Sequence, residues 1–566
     1  MSTPGIVVSS GIAFGHSRIL KQHDRELDYR VLPLAEVESE QTKLKDAIAQ
    51  FVQLLSVGLS KLEPDSEHYL LIEADILFLE DEELLTQLLN TIREQQFAAC
   101  VAVERVFAQQ VNLLNAMEDP YLANRAQDVN CLRNRLIAAI HGSISHDLEN
   151  VTKPTILLAK DLTPAEFALL PLDKIVGIVL KTGGLTSHTA ILARSAGIPA
   201  LLSCDFDDSL QNNQVMVIDA LSGCLHVEPN THDLETLERL KADDQLRKQQ
   251  LQKFKHLPAT TRDNVIIPLL ANVGSLSEFS LLSDVGADGI GLFRTEFMLM
   301  NVSVMPTENT QYGLYCDALQ LLDGKTLTIR TLDIGADKEV PCLTLPTEDN
   351  PALGVRGTRY FLAHPQLLKT QLRAILRAAN HGKIRLMFPM INQVEELDCL
   401  FDLIEECKRE LDNEERGFGE LDYGIVVETP AAVMNLASML PRLHFISIGT
   451  NDLTQYAMAA DRTNPSLTKA YPSLSPAILK LIMMTIAESK QHGVPVSVCG
   501  ELASNPKVAP ILIGMGIDEL SVNVNSLLEL KSSFCSQDLS TYKKWAQDVL
   551  RLQRIEELNH YISHCS

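Results

Sequence analysis

One histidine stands where an apolar run gives way to a helical pattern. The run 175–180 predicts a buried strand, two glycines at 183–184 predict a tight turn, and the segment 189–196 predicts a helix. Open amides at a helix start favour a negative group, and imidazole is an established nucleophile. His188 could therefore hold a phosphoryl group covalently, although a capping or packed histidine is the simpler alternative for such a residue on its own.

A second set of reactive side chains follows the predicted strands of the last 300 or so residues. Strands alternate there with amphipathic helices, which predicts a (β/α)8 barrel. Active residues of such barrels lie at the carboxyl ends of the strands. The predicted strands are Val265–Val273, Gly289–Phe293, Leu327–Leu332, Ile384–Met390, Gly424–Val427, Phe445–Ile448, Val494–Val498 and Glu519–Val522.

The strand ends carry cations, carboxylates and a thiol. Any one could be a surface charge or a structural ion pair, but several at one mouth predict a phosphoryl-transfer site for a small trianionic substrate. Glu428 and Asp452 offer the hard oxygens that Mg²⁺ prefers. Cys499 could be a buried small hydrophobe or could protonate a carbanion-like carbon. The cations, which suit phosphate or carboxylate groups, are Arg294, Arg330, Arg462 and Lys338.

Composition excludes several classes of protein. The chain has 566 residues and a formal net charge of −24, which argues against binding to nucleic acid or an anionic membrane. No apolar stretch approaches the roughly 20 residues of a membrane span, and the first residues lack the pattern of a signal peptide. The eleven cysteines form no CxxC pair. We expect a cytoplasmic protein with reduced thiols that is not inserted in a membrane and whose acidic surface suits a basic partner.

Changes in pattern along the chain predict a multidomain α/β protein. Residues 1–20 plus 146–230 read as a small α/β domain that carries His188, and residues 21–145 as a helical bundle inserted into it. Residues 231–258 read as a helical linker, and residues 259–566 as the barrel.

The motifs resemble those of phosphoenolpyruvate-utilising enzymes, and over nearly the whole chain those of the enzyme I family of the bacterial phosphotransferase system. The resemblance implies that His188 is the phosphorylated histidine, that Glu428 and Asp452 bind Mg²⁺ and that Cys499 protonates enolpyruvate to release pyruvate. It implies phosphoenolpyruvate binding by Arg294, Arg330, Asn451 and Arg462, with Asp452, Lys338 and Arg356 in the same site. The motifs are 183–194, 292–297, 330–338, 427–430, 447–455 with 461–462, and 498–502.

The resemblance also implies partners. In that family the helical domain docks the histidine phosphocarrier protein HPr or a paralogue, and the barrel domain forms a homodimer. The expected reaction is the first step of the phosphotransferase system for sugar uptake, although the sequence does not separate this pathway from nitrogen-linked regulation. Leu185 and Val355 stand where the family usually has arginine and tryptophan. Loss of a cation at Leu185 could slow the transfer or change the preferred carrier.

Two other functions are compatible with parts of the chain. A pyruvate–phosphate dikinase or phosphoenolpyruvate synthase shares the histidine and barrel domains but needs a large ATP-binding domain, for which the first 150 residues are too few and too helical. A non-catalytic regulator could bind phosphoenolpyruvate and signal through the helical domain. The combination of His188, Arg294, Glu428, Asp452 and Cys499 argues against it.

Overall fold

The computed structural model divides the chain into two compact units, residues 1–247 and 248–566. None of the helices it describes is both long and apolar enough to cross a bilayer. The described chain leaves out residues 1, 21–26, 61–66, 116–119, 142–150, 152, 163–165, 168–169, 184–187, 208, 300–301, 303, 336–339, 341, 344, 347, 463, 465–466, 468–469 and 566.

The described part of the first unit contains one mixed sheet of eight strands, in the order β1-β8-β7-β3-β4-β5-β6-β2. The three N-terminal strands pair with strands from residues 155–227, as the sequence predicts for a segment too short to form its own core. Successive side chains of one strand point to opposite faces, so Ile178 and Val179 belong to different buried clusters. The strands are β1 Ser2–Pro4, β2 Ile6–Ser9, β3 Ile12–Leu20, β4 Thr155–Ala159, β5 Ile175–Leu180, β6 Ala200–Leu202, β7 Val215–Asp219 and β8 Cys224–Val227.

A helical bundle follows β3 in the same unit. Its core is made of apolar side chains at helical spacing, among them Leu44, Phe51 and Leu88, which are fully or almost fully buried. The acidic run at residues 80–83 is a helix start, because the Asp81 carboxylate accepts the Leu84 amide at 2.7 Å. The helices are α1 Leu34–Leu59, α2 Glu67–Leu79, α3 Glu82–Gln95, α4 Ala99–Asn115 and α5 Pro120–Ile140.

The helix after β5 is α6, His188–Ser195. Its Ala190 and Ala193 are buried in an apolar cluster with residues of β4, β5 and β6. The Thr189 hydroxyl donates to the Leu162 carbonyl at 2.6 Å. The side chain of His188 lies outside the described structure. The predicted helical linker is α7, Thr231–Leu251, followed by a 3-10 turn at Gln252–Phe254.

The second unit contains a closed barrel of eight described parallel strands, in the order β9 to β16 with β16 paired to β9. All eight predicted strands are present. They are β9 Leu269–Val273, β10 Gly289–Arg294, β11 Thr326–Arg330, β12 Ile384–Phe388, β13 Asp422–Val427, β14 Phe445–Ile448, β15 Val496–Val498 and β16 Glu519–Asn523.

Helices cover the outside of the barrel, and together with the strands they bury a single large apolar cluster. They are α8 Leu276–Val285, α9 Glu308–Leu322, α10 Thr358–Ala363, α11 Pro365–Ala378, α12 Val394–Asn413, α13 Pro430–Met439, α14 Thr450–Met458, α15 Pro476–His492, α16 Ala509–Met515, α17 Leu527–Phe534, α18 Leu539–Arg551 and α19 Ile555–His564.

Four of the predicted strands were too long, at residues 265–273, 327–332, 384–390 and 494–498. Proline is a physical reason at the first and the third. The strand predicted to start at residue 265 starts at Leu269, directly after Pro268, which has no N–H for the ladder. The strand predicted to end at residue 390 stops before Pro389. Met390 then adopts a left-handed φ of +58°, and its N–H leaves the sheet.

The C-terminal part of the barrel wall depends on a close helix contact. A Cβ added at Gly514 in α16 would lie 2.0 Å from the Tyr542 carbonyl oxygen in α18, whereas one at Gly313 in α9 would meet nothing within 4 Å. The chain's one tryptophan, Trp545, packs against Tyr542, so its fluorescence reports on this unit.

Gly514→Ala should destabilise the second unit by about 1–3 kcal/mol, because the methyl group forces the two helices apart. Gly313→Ala is the matched control and should be neutral or stabilising by about 0.5–1 kcal/mol, the usual gain from alanine in a helix. Urea unfolding followed by Trp545 fluorescence measures both effects. Equal stability of the two variants would show that the described contact is not tight.

Candidate active site at the barrel mouth

Arg356 lies at the centre of the charged groups at the barrel mouth. Its guanidinium is 2% exposed and donates from Nη2 to Asp333 Oδ2 at 2.9 Å and from Nε to Asp333 Oδ1 at 3.3 Å. Nη1 donates to Asp452 Oδ1 at 3.2 Å and to the Tyr456 hydroxyl at 3.0 Å. Asp333 follows β11, and Asp452 lies in the first turn of α14 after β14. Arg356 therefore joins two separate loops of the mouth.

Arg330, the last residue of β11, forms the second buried cationic centre. Its Nη1 lies 3.3 Å from Asp333 Oδ2, and its Nη2 contacts the Glu296 carboxylate. The backbone around it is also fixed, because the Thr295 hydroxyl donates to the Arg330 carbonyl at 2.8 Å and the Gln371 amide donates to Thr295 Oγ1 at 3.1 Å. These bonds hold the cation in one orientation.

The carboxylates keep both guanidiniums charged in a buried place. Burial alone would lower the pKa of Arg330, but Glu296 and Asp333 outweigh it and raise that pKa. Burial likewise opposes the charge on Arg356, and Asp333 and Asp452 raise its pKa. The mouth therefore carries fixed positive charges at every physiological pH.

Glu428 follows β13 and is 1% exposed, with Oε1 accepting the Met390 amide at 2.6 Å. Burial raises the pKa of this carboxyl to about 8, reinforced by Asp452 and Asp333 and opposed by Arg330 and Arg356. The left-handed backbone at Met390 is thus explained, since it turns the amide toward the buried carboxylate. An oxygen-seeking cation at this place would relieve the repulsion that raises the pKa.

The donor set fits a divalent cation of the magnesium type. Among the described residues of the network, two buried arginines face four buried carboxyl groups, which makes an excess of two negative charges when all four are ionised; the carboxyl groups are those of Glu296, Asp333, Glu428 and Asp452. No group of three or more described His, Cys, Asp or Glu residues has the arrangement of a complete metal site. Mg²⁺ commonly uses one or two carboxylates and takes further oxygens from substrate phosphates, so this arrangement suits it.

Cys499 lies at the end of β15 and is 7% exposed, within a buried cluster with Leu292, Met387, Val426 and Phe445. Its Sγ donates to the Ile448 carbonyl at 3.7 Å. Burial raises the pKa of the thiol, while the Ser447 side chain and the Arg330 charge oppose the shift. The raised pKa keeps the proton on sulfur at neutral pH. Such a thiol is suited to donating a proton rather than to acting as a thiolate nucleophile.

The residue after Cys499 must be glycine. A Cβ at Gly500 would lie 1.9 Å from Thr450 Oγ1, so the ends of β14 and β15 approach each other directly at the mouth. Beside this contact Asn451 and Glu501 exchange two hydrogen bonds of 3.3 Å, from Asn451 Nδ2 to Glu501 Oε1 and from the Glu501 amide to Asn451 Oδ1.

The remaining predicted residues differ in how far the structure describes them. Arg294 ends β10 and is exposed, and Arg462 donates from Nη1 to Asp452 Oδ2 at 3.3 Å. Lys338 and Leu185 lie outside the described residues. The Val355 amide donates to Glu348 Oε2 at 2.9 Å, a bond that does not depend on the side chain at residue 355.

Three residues of the network had no predicted role in the sequence. Glu296 pairs with Arg330 of the neighbouring strand β11. Asp333 pairs with Arg330, three residues before it, and with Arg356, 23 residues after it. Tyr456 joins the Arg356 guanidinium to the backbone, since its hydroxyl also donates to the Ala352 carbonyl. The spacing in the sequence could have indicated this residue, because Tyr456 follows Asp452 by four residues and so lies on the same face of α14.

Comparisons with known proteins agree with this architecture. Three family models match, described as PEP-utilising enzyme, N-terminal, at residues 4–125, the mobile domain at residues 151–223 and the PEP-binding domain at residues 248–539.

Relatives match over almost their whole length. The chain is 36% identical to the phosphoenolpyruvate-protein phosphotransferase of Haemophilus influenzae, over 99% of this chain and 98% of the relative. It is 33% identical to the protein of the same name from Mycoplasma pneumoniae, over 99% and 97% of the two chains. The protein of that name from Listeria monocytogenes is also 33% identical, over 98% and 97%. The chain therefore belongs to the phosphoenolpyruvate-utilising enzymes, and among them to the phosphoenolpyruvate–protein phosphotransferase family.

Proposed function

We propose that this phosphotransferase moves the phosphoryl group of phosphoenolpyruvate first to His188 and then to a histidine of HPr or a paralogue, releasing pyruvate. The observation that carries the proposal is the Arg356 guanidinium between Asp333 and Asp452 beside Arg330. Fixed buried cations next to further arginines suit an anion with both phosphate and carboxylate groups.

In this proposal the substrate meets the more accessible cations first. Arg294 is exposed and the Arg462 side chain is 32% exposed, so both can contact a ligand from solvent. Arg330 and Arg356 lie deeper, where their charge is less screened. The proposed phosphoenolpyruvate contacts are Arg294, Arg330, Asn451, Asp452, Arg462, Arg356 and Lys338.

We assign Mg²⁺ to Glu428 and Asp452. When bound, the ion would neutralise phosphate charge and so favour phosphoryl transfer. The raised pKa of Glu428 means that metal binding competes with a proton at neutral pH.

Two proton and bond changes complete the first step. A nitrogen of His188 forms a bond to phosphorus while the bond from phosphorus to the enol oxygen breaks. The Cys499 thiol proton goes to the methylene carbon, which gives pyruvate, and the thiolate regains a proton from solvent. In the second step the bond from phosphorus to the His188 nitrogen breaks as a carrier imidazole takes the phosphoryl group.

The carrier and the assembly belong to the same proposal. The helical domain at residues 21–145 would dock the carrier, and apolar side chains of the bundle such as Leu77 and Leu113 are 65% and 57% exposed. The barrel domain at residues 259–566 would form the homodimer, supported by Val304 and Leu353, which are 75% and 65% exposed in loops after β10 and β11.

The α/β domain at residues 1–20 plus 146–230 would carry the phosphoryl group, with residues 231–258 as its linker. The proposed location of the protein is the cytoplasm, and the proposed reaction is the first step of sugar uptake.

His188→Ala should abolish labelling of the chain by ³²P-phosphoenolpyruvate with Mg²⁺ and no carrier, because the accepting nitrogen is gone. His232→Ala, a change at an exposed histidine of α7, is the control and should label as the wild type does. Quantitative labelling of the His188 variant would contradict the assigned acceptor.

Cys499→Ala should lower the rate of pyruvate release by about 10²–10⁴-fold, the usual contribution of a positioned acid. Cys407→Ala, at a buried cysteine of α12, is the matched control and should keep the rate. Burial raises the pKa of Cys499. As the pH is increased, the wild-type rate of pyruvate release should therefore begin to fall only above about 8.5, the ordinary pKa of a thiol. A wild-type rate in the Cys499 variant would exclude the thiol as proton donor.

Tyr456→Phe should raise KM for phosphoenolpyruvate about fivefold with a smaller change in kcat, because Arg356 loses a hydrogen bond worth about 1 kcal/mol and the Ala352 carbonyl loses its donor. Tyr561→Phe removes a comparable 2.9 Å bond to Asp548 in the C-terminal helices and should leave KM unchanged. The same KM in both variants would mean that Tyr456 does not position Arg356.

A further inference from the structure

A basic cleft lies on the outer wall of the barrel, away from the residues of the mouth network. Its volume is about 460 Å³, within the range of metabolite-binding pockets. It is formed by the first turns of α9, the end of α11 with the turn after it, and the turn after α12. Its lining residues are Asn309, Tyr312, Arg377, Asn380, His381, Arg416 and Gly417.

The position of the turns separates this cleft from the phosphoenolpyruvate site. Residues 379–381 lead into β12 and residues 414–419 lead into β13, at the amino ends of these strands. The mouth network lies at the carboxyl ends. The two sites share no described residue, so a ligand in the cleft would be distinct from the substrate.

The charge of the lining is one-sided. Two guanidiniums, an imidazole and two carboxamides face the cleft, and none of the described residues that line it is a carboxylate. A cluster of this kind is unusual on a chain with a formal net charge of −24. The groups that line the cleft thus offer N–H donors to a ligand, while the carboxylates that pair with its arginines, Glu308 and Glu414, are not among the lining residues.

The Glu308 carboxylate holds both arginines in place from behind, and Arg416 Nε also lies 3.3 Å from Glu414 Oε2. Glu308 Oε1 accepts Arg377 Nη1 at 2.5 Å and Arg416 Nη1 at 3.1 Å. Burial opposes the charge on Glu308, but hydrogen bonds from Arg373 and Arg377 outweigh it and lower its pKa. The bonds described for Arg377 leave from Nη1, so its Nε and Nη2 donors remain for a ligand.

The other side chains of the cleft are also ordered by their neighbours. The Arg377 guanidinium lies 4.1 Å from the centre of the Tyr312 ring, and the Tyr312 hydroxyl lies 2.9 Å from His381 Nε2. A lining fixed before binding loses little entropy when a ligand arrives.

The backbone that presents Arg416 is fixed as well. The Arg416 amide donates to the Leu411 carbonyl at 2.9 Å, and Glu415 adopts a left-handed φ of +56°. A Cβ at Gly419 would lie 2.3 Å from the Ala379 carbonyl oxygen, so the two turns of the cleft are packed tightly together.

We propose that this cleft binds a small organic or inorganic anion through phosphate or carboxylate groups. Arginine forks, an imidazole and amide N–H groups are the donors that such groups use. The ligand is a diffusible anion of metabolite size rather than a macromolecule, because the cleft is bounded on three sides by helix ends and their turns.

Equilibrium dialysis of the full chain with radiolabelled pyrophosphate, and separately with radiolabelled citrate, tests this proposal. Arg416→Gln should remove one saturable component or raise its dissociation constant at least about tenfold, a loss of about 1.4 kcal/mol. Arg416→Lys should lose less. Arg409→Gln, at an exposed arginine of α12 outside the cleft, is the matched control and should bind as the wild type does.

The two probes distinguish the source of the anionic group. A component that depends on Arg416 with pyrophosphate alone assigns a phosphate ligand, and one with citrate alone assigns a carboxylate ligand. Coincident binding curves for Arg416→Gln and Arg409→Gln with both probes would overturn the proposal. The readout is a difference between two variants outside the mouth, so it does not depend on the proposed transfer reaction. Trp545 fluorescence should show the same unfolding transition in both variants.

Discussion

The bonds of Arg356 to Asp333 and Asp452 are the interaction on which the barrel mouth depends. They join the loop after β11 to the helix after β14, two segments far apart in sequence. A buried guanidinium costs several kcal/mol to desolvate and is stable only with good partners. Removal of either carboxylate would leave that cation unbalanced, so the geometry of the whole mouth depends on this one set of contacts.

The charge balance around Arg356 connects the other features of the site. Four buried carboxyl groups outnumber the two buried arginines; burial raises the pKa of Glu428, and Asp452 and Asp333 add to the shift. A divalent cation would restore the balance and allow a trianionic substrate to approach the arginines. Close to them, the same burial keeps the Cys499 thiol protonated. The proposed substrate binding, metal preference and proton donation would thus all depend on the burial of charged and polar groups at the mouth.

The fold was predictable from the sequence, and so were the strand-end positions of several candidate site residues, because both depend on regular patterns. Strands and helices alternate with clear periods, and reactive residues of a barrel follow its strands. Exact strand ends were not predictable at Leu269 and Phe388, where single prolines decide the boundary. The roles of Asp333, Glu296 and Tyr456 were not predictable either, since Glu296 pairs across strands and the other two contact Arg356, which is far from them in sequence.

The exchange of ¹⁴C-pyruvate into phosphoenolpyruvate by the chain alone tests the central claim most directly, because it requires substrate binding, proton transfer and a phosphorylated intermediate but no carrier. With Mg²⁺, the wild type should catalyse this exchange. Arg356→Lys, which keeps the charge but loses the forked contacts to Asp333 and Asp452, should lose it while Trp545 fluorescence shows an intact barrel. Undiminished exchange in that folded variant would contradict the organising role of Arg356.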